Sequence, residues 1–501
     1  MNNIPEQALY TAEQVRELDR RAIEESGEGG YALMCRAGAA AYRRLRSLWT
    51  GTGRMVVLTG PGNNGGDGYV MARLAREAGL PAVVLPAVDG EKLKGDAARA
   101  RADWLACGGE EFPAAAGLPS DTGVIVDALL GTGLTRPPEG RIAELVSMAN
   151  AHPAACFAVD VPTGLDADTG MLLGKALAAE NTVTFIGRKR GLFTGMAGEV
   201  TGRVHFERLE VPELVYRGLE PSAFLMGRAE VSGWLQPRKA SAHKGQHGRV
   251  VLLGGDHSMG GAILLAAEAA ARAGAGQVLA VTRREHHAAM LARAPWLMPQ
   301  EPRGTAALRR LLRSADAVVI GPGLGRGRWG KSLWRQVRSL KLPMVADADA
   351  LNLLADSRYP ELPHGAVITP HPGEAARLLE SDIQDIQSDR FAGCEALCAR
   401  TGAVSVLKGA GSLVAAPGRP LRVCDAGNPG MGVAGMGDVL AGIIGSLVAQ
   451  GLPPADAAAT GTWLHATAGD MAAREFGQRG LQPGDLMSPL MRLVNPPGRH
   501  G

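Results

Sequence analysis

The chain has 501 residues, 46% of them hydrophobic and 21% charged, enough for two or three soluble globular domains, each with its own core. Fifty-three basic residues against 50 acidic ones leave a formal net charge of +3, which provides no polycation for nucleic acid and no basic surface for a membrane. The six cysteines (35, 107, 156, 394, 398, 424) make neither a CxxC pair nor a metal-ligand cluster, so a reduced, cytoplasmic setting is expected.

The first residues, "MNNIPEQALYTAEQ", lack a basic n-region and an apolar h-region, so no signal peptide is expected. "EQVRELDRRAIEES" has the periodicity of a helix. Short apolar runs follow and read as strands: "MVVLTG" (55–60), "AVVLP" (82–86), "GVIVDALLG" (123–131), "CFAVDVP" (156–162) and "TVTFIG" (182–187). The segment 212–245 carries no strong strand signal and ends in a basic, glycine-rich loop, which places a domain boundary near 225. Beyond it come "RVVLLGG" (249–255), "QVLAVT" (277–282), "AVVIGPG" (317–323), "PMVADAD" (343–349), "AVITPH" (366–371) and "VSVLKG" (404–409). These runs are nearly continuous in Val, Ile and Leu, as parallel strands buried on both faces require. Helical patterns such as "LLAAEAAARAGA" supply the crossovers. The fold class is therefore α/β, in two tandem domains, 1–224 and 225–501. The longest apolar helix candidate, "VLAGIIGSLVAQ" at 439–450, is shorter than the roughly 20 residues that span a bilayer.

In the first half three strands run into loops: "GPGNNGGDG" (60–68), "DALLGTGLTRP" (127–137) and "DVPTGLD" (160–166). In a doubly wound sheet such loops converge on one crevice. The glycine spacing of the first is not GxGxxG. It reads instead as a bare loop that lets backbone amides approach a ligand, with Asn63, Asn64 and Asp67 as hydrogen-bonding groups. Asp127 and Asp160, each at a strand end, can hold a cation or move a proton. The competing possibility is that each loop is only a tight turn.

In the second half "GNPGMGVAGMGDVLAGIIGSLVAQG" (427–451) takes a glycine-rich turn into an apolar helix with Asp438 in its first turn. Free amides and the helix dipole make an anion site there, and an acid beside it can accept the proton of an attacking hydroxyl. The alternative for Asp438 is a group that stabilises its own helix. "LKGAGSLVA" (407–415), with Lys408 and Ser412, reads as a cradle for a nucleotide phosphate without being a Walker motif. His371 in "TPHPGE" is a pocket-wall candidate, and "DADALNLL" (347–354) reads as either a helix start or a metal-facing acid pair.

Taken with "HKGQHGRVVLLGG", "GGAILLAAEAAARAGAG", "IGPGLG" and "KGAGS", these motifs resemble, in order and over nearly the whole length, the bifunctional NAD(P)H-hydrate repair enzymes, an epimerase fused to an ADP-dependent dehydratase. That resemblance implies a Rossmann-like epimerase domain followed by a ribokinase-like dehydratase domain. It implies that Asn63, Asn64, Gly65, Gly66, Asp67, Gly131, Thr132, Gly133, Leu134, Thr135, Arg136, Pro137 and Asp160 contact the hydrates NADHX and NADPHX, with Asp160 as a candidate proton carrier. A potassium ion would be held by Asn64, Asp127 and Thr163, where the family usually has serine. Ala262, Gly323, His371 and Asp438 would line the dehydratase site. Lys408, Gly409, Ala410, Gly411, Ser412 and Gly437 would bind ADP, used with Mg²⁺, and Asp438 would be the catalytic acid–base group. A homo-oligomer acting on small molecules, with no nucleic-acid partner, is expected. The alternative is a ribokinase-like kinase of a small alcohol with a non-catalytic Rossmann-like binding module.

Overall fold

A computed structural model describes residues 7–113, 117–357 and 362–495. The chain divides into two compact units, Met1–Ala223 and Phe224–Gly501. Among the described residues no helix is long and apolar enough to cross a membrane.

The first unit is built on six parallel strands. Their order across the sheet is Ala82–Pro86, Arg54–Thr59, Thr122–Ala128, Ala155–Val159, Asn181–Phe185 and Arg203–Glu207. The chain therefore starts inside the sheet, moves to one edge, returns and continues outward the other way. The reversal falls between Arg54–Thr59 and Thr122–Ala128, and ligands of doubly wound sheets bind beyond the carboxyl ends at such a switch point. Both strands end in segments singled out by the sequence, "GPGNN" and "LLGTG". Their Val and Ile residues are fully buried, which accounts for the unbroken apolar runs.

One expectation needs correction here. Residues 63–68 are not a bare loop: Asn63–Glu77 is a helix, and "NNGGDG" forms its first turns. Its glycines are required mainly by packing. A Cβ at Gly65 would sit 2.2 Å from the Gly60 carbonyl oxygen, one at Gly66 2.5 Å from Met34 Sδ, and one at Gly68 2.6 Å from Ala128 Cβ. Only Gly62, which has open space around it, is bare on the ligand side.

The second unit places seven parallel strands in the order Met298–Gln300, Gln277–Val281, Arg249–Leu253, Ala317–Ile320, Met344–Ala346, Val367–Ile368 and Val404–Leu407. Two antiparallel strands, Ser412–Ala416 and Arg419–Cys424, extend that edge. Glycine-rich 409–411 is thus a hairpin turn, which the expectation of an all-parallel sheet did not include. The switch point here lies between Arg249–Leu253 and Ala317–Ile320.

The helix Met436–Ala449 is buried from Val439 to Ala449, as its all-round apolar sequence demands. Gly442 and Gly445 lower its intrinsic propensity, but a Cβ at Gly442 would lie 2.1 Å from the Ala266 carbonyl oxygen and one at Gly445 2.1 Å from Val319 Cγ2. The glycines let this helix lie directly against its neighbour Gly260–Arg272 and against the sheet. That close seat fixes the helix's N-terminus, and Asp438 with it.

Candidate functional site

At the switch point of the first unit lies a cavity of about 470 Å³. Asn63, Asn64, Asp67, Gly131, Thr132, Gly133, Leu134 and Asp160 all line it. Gly65 and Gly66 pack away from it, and Thr135, Arg136 and Pro137 continue the loop outward as exposed residues. Asp127 and Thr163 sit beneath its floor, both fully buried.

Asp127 ends its strand and organises that floor. Its Oδ2 accepts from the Thr163 amide at 2.7 Å, and its Oδ1 accepts from the Thr163 hydroxyl at 2.8 Å and the Leu129 amide at 3.1 Å. The Thr163 hydroxyl in turn accepts from the Leu130 amide at 3.0 Å. One acid and one hydroxyl therefore tie the 129–131 loop to the 160–164 loop. Burial pushes Asp127 up to a pKa of about 6 against these hydrogen bonds. Beside Gly131, whose Cβ position lies 3.4 Å from Asn64 Cγ, both polar atoms of the Asn64 side chain are buried without a partner.

Asp160 stands in the left-handed region at φ +67°, an unfavourable conformation for a residue with a side chain, found where function requires an exact aim. Its Oδ1 accepts from Lys189, whose ammonium also donates to Thr184 Oγ1 and to the Phe185 carbonyl, each at 3.1 Å. Lys189 is 1% exposed and lines the cavity. Two further acids face the same space. Burial, then the charges of Asp160 and Asp19, push Asp67 well above the ordinary carboxylate range, and burial raises Asp19 to about 6. The sequence reading missed Asp19 and Lys189, because a helix-face acid and one lysine within "GRKRG" carry no motif.

In the second unit Ala262 and Gly323 meet at the switch point: a Cβ on Gly323, which has φ +58°, would lie 3.2 Å from Ala262 Cβ. A charged cluster gathers at the ends of the neighbouring strands. Lys408 Nζ lies 2.9 Å from Asp347 Oδ1 and 3.8 Å from Glu374 Oε2, and Thr369 Oγ1 donates to Asp347 Oδ1 at 2.8 Å. Burial opposes the Lys408 charge, but Asp347 and Glu374 outweigh it and hold the ammonium above its ordinary pKa. Ala348, at φ +47° beside Asp347, is a second strained residue next to a candidate site acid. In the run 347–354, Asp349–Ala355 is a helix, as one of the two readings had it, while Asp347 belongs to the charged cluster and Asp349 Oδ2 accepts from the Gly325 amide at 2.8 Å.

His371 caps the helix Pro372–Leu379. Its Nδ1 accepts from the Gly373 and Glu374 amides at 3.0 and 3.3 Å, while Glu374 Oε2 accepts from the His371 amide at 2.8 Å. Burial, then the Lys408 charge, lower the His371 pKa. Burial raises Glu374 to about 7.

Gly437 faces this cluster, its Cβ position 3.3 Å from Lys408 Nζ and 3.7 Å from Asp347 Oδ2. The next residue is Asp438. Its helix has Gly435 at the N-cap with φ +96° and no side-chain cap, and Val439 N–H makes an early helical bond to the Gly435 carbonyl at 3.1 Å. Asp438 is therefore not acting as the cap. Among the described residues its carboxylate has no hydrogen bond or ion pair. Burial, then the Asp347 charge, raise it to a pKa of about 7, with Lys408 opposing. A carboxyl poised there, beside free amides, suits a general base.

Two family models match this chain: "YjeF-related protein N-terminus" over residues 30–191 and "NAD(P)H-hydrate dehydratase" over residues 250–492. A bifunctional NAD(P)H-hydrate repair enzyme of Escherichia coli is 47% identical over 99% of this chain and 95% of its own length. Its counterpart in Coxiella burnetii is 45% identical over 97% of this chain and 99% of its own. The crystal structure of a ribokinase-like superfamily protein from Enterococcus faecalis is similar at 29% identity and a TM-score of 0.51, covering 55% of this chain and 95% of that one. The second unit therefore has the ribokinase-like fold. With full-length relatives at this identity, the chain belongs to the family of bifunctional NAD(P)H-hydrate repair enzymes.

Proposed function

We propose that the first unit interconverts the R and S hydrates of NADH and NADPH, and that the second dehydrates the S form with ADP, releasing AMP and phosphate. The single observation that best supports the second activity is Asp438, an acid without a partner, raised to about 7, in the first turn of a glycine-capped helix.

In the second unit Asp438 takes the proton of the hydrate's hydroxyl, and that oxygen attacks the terminal phosphorus of ADP as the bond to AMP breaks. The amides of Gly437 and Asp438 stabilise the charge that develops on the phosphoryl oxygens. The C6–O bond of the phosphorylated hydrate then breaks, pushed by the ring nitrogen lone pair. Loss of a proton from C5 restores the dihydronicotinamide. Mg²⁺ is a hard cation that accompanies phosphates with one or two carboxylates. The residues fit it, since Asp347 Oδ2, the oxygen not engaged by Lys408 or Thr369, would hold it. It supplies charge neutralisation on the phosphates.

In the first unit Asp160, paired with Lys189, is the group we assign to proton transfer at the carbon that inverts. The helix start at 62–64 and the loop 131–134 take the dinucleotide's phosphates through their amides. Asn64, whose buried Oδ1 lacks a partner, would hold a potassium ion together with Thr163 and Asp127. The ion would supply positive charge for the dinucleotide's phosphates. Six free cysteines accord with a reducing, cytoplasmic setting.

The test is optical. Purified protein with S-NADHX, ADP and Mg²⁺ should regenerate the absorbance of reduced nicotinamide, and R-NADHX should follow only while the first unit is active. No return of absorbance from the S hydrate would refute the dehydratase assignment.

A further inference from the structure

The helix Arg390–Thr401 opens on an arginine that is 1% exposed and packs against the turn read as a phosphate cradle. Its Nη2 donates to two successive carbonyls, that of Leu407 at 3.4 Å and that of Lys408 at 3.3 Å. Its Nη1 donates to Gln387 Oε1 at 2.7 Å. The same guanidinium accounts for the first glycine of the turn. A Cβ at Gly409, where φ is +140°, would stand 3.0 Å from both Nη atoms.

Burying a charge is costly, and an apolar side chain could fill the same space. Burial pulls Arg390 down to about 10, so it still carries its proton at neutral pH. What the arginine adds to simple packing is a pair of directed donors and a positive charge, both applied to the backbone at 407–408.

The consequence lies in the peptide that joins Lys408 to Gly409. The strand Val404–Leu407 ends before it, so the sheet ladder does not orient it. The Lys408 amide bonds the Pro370 carbonyl at 2.9 Å, which fixes only the preceding peptide. In a trans peptide the C=O and the N–H lie in one plane and point in opposite directions. With the Lys408 carbonyl turned in to Arg390, the Gly409 N–H points away from the guanidinium. Gly409 is exposed, and among the described residues its N–H meets no acceptor. The Ser412 hydroxyl closes the turn from the other side, donating to the Gly409 carbonyl at 2.9 Å. An exposed amide of this kind is a ready donor for an anion, and a hydrogen bond accepted by its own carbonyl polarises the peptide and strengthens it.

We infer that Arg390 is a positioning residue for the nucleotide: by holding the Lys408 carbonyl inward, it presents the Gly409 N–H to a phosphate and strengthens that donor with its charge. Arg390 itself does not touch the nucleotide. Without it the peptide is free to rotate and offer the phosphate a carbonyl oxygen instead. The role rests on the nucleotide reading of 408–412 proposed above.

The test uses the full chain and two substitutions. Arg390→Met keeps the length and removes the donors and the charge, and Arg390→Lys keeps the charge and a donor that can reach one carbonyl. Affinity for ADP with Mg²⁺ is read by calorimetry, and KM for the hydrate, epimerisation and melting temperature are read on the same preparations. In Arg390→Met the affinity for ADP should fall about ten-fold or more, the loss of one hydrogen bond to a charged group, while KM for the hydrate stays within about two-fold and epimerisation is unchanged. Arg390→Lys should return ADP affinity to within about three-fold of wild type. A folded Arg390→Met with wild-type ADP affinity overturns the proposal, as does a folded Arg390→Lys as impaired as the methionine variant. An equal rise in KM for the hydrate would show a general disturbance of the second unit and also ends the proposal. Should Arg390→Met fail to fold, Arg390→Lys decides by the same threshold, and if neither variant folds the arginine is a requirement of the fold and the assigned role falls. Failure of the nucleotide reading is seen separately, as a wild-type chain that binds no ADP.

Discussion

The ammonium of Lys408 lies 2.9 Å from Asp347 Oδ1, with 20% and 2% of the two side chains exposed, so the lysine read as a phosphate ligand is also the counter-ion of a buried acid. Removing one member of such a pair leaves an uncompensated buried charge, at a cost of about 3–5 kcal/mol. Lys408→Ala should lower the denaturation midpoint of the second unit, and Asp347→Asn combined with it should restore part of the loss. Chemical denaturation of the two single variants and the double variant reads the coupling, and strictly additive losses would mean that the pair contributes nothing.

Asp438→Asn keeps size and polarity but cannot take a proton. A general base contributes about 10²–10⁴-fold, so dehydration should fall at least 10²-fold with ADP affinity nearly unchanged. Wild-type turnover should rise as pH passes through about 7, where Asp438 loses its proton, and the variant should lose that limb. The sign for stability is opposite. A carboxyl raised from 3.8 to about 7 in the folded state contributes stability below pH 4 that is lost as pH climbs through 7, so Asp438→Asn should be at least as stable as wild type at pH 8.

Lys189→Met keeps the length of the side chain and removes the ammonium that Asp160 accepts from. Epimerisation should fall about 10²-fold or more, and dehydration of pure S hydrate should be unaffected. Stereochemical assay of both hydrates on one preparation checks this. Unaltered epimerisation would remove the Asp160–Lys189 pair from the reaction.

Thr163 separates the potassium reading from simple loop support. Thr163→Ser retains the hydroxyl that bridges Asp127 and Leu130 and should keep the epimerisation rate within a few-fold. Thr163→Val keeps the shape but leaves both partners short of a bond, at a cost of about 1–3 kcal/mol, and should raise the potassium concentration needed for half-maximal epimerisation. A potassium response identical in Thr163→Val and wild type would refute Thr163 as part of that site.

The two units should also part cleanly. Expressed separately, residues 1–223 should epimerise and residues 224–501 should dehydrate, because each is a compact unit with its own candidate site. Two insoluble fragments would show that the units fold only as one.

What the sequence determined by itself was the alternation of buried parallel strands with helices, because strands covered on both faces must be apolar at every position, as Val56–Leu58 and Val250–Leu253 are. It also marked the strand-end segments that line the candidate sites, because glycines and acids there serve no core. It did not distinguish a glycine that admits a ligand from one that admits a neighbouring backbone: Gly62 and Gly65 look alike in the chain, and only packing against Gly60 separates them. Nor did it reveal Lys189 or Asp19. The groups they face, Asp160 and Asp67, lie far along the chain in sequence, and contacts over such separations leave no local pattern. Tertiary structure alone decided the charge state of the acids, since burial and neighbouring charges, not residue type, carry Asp438 to about 7.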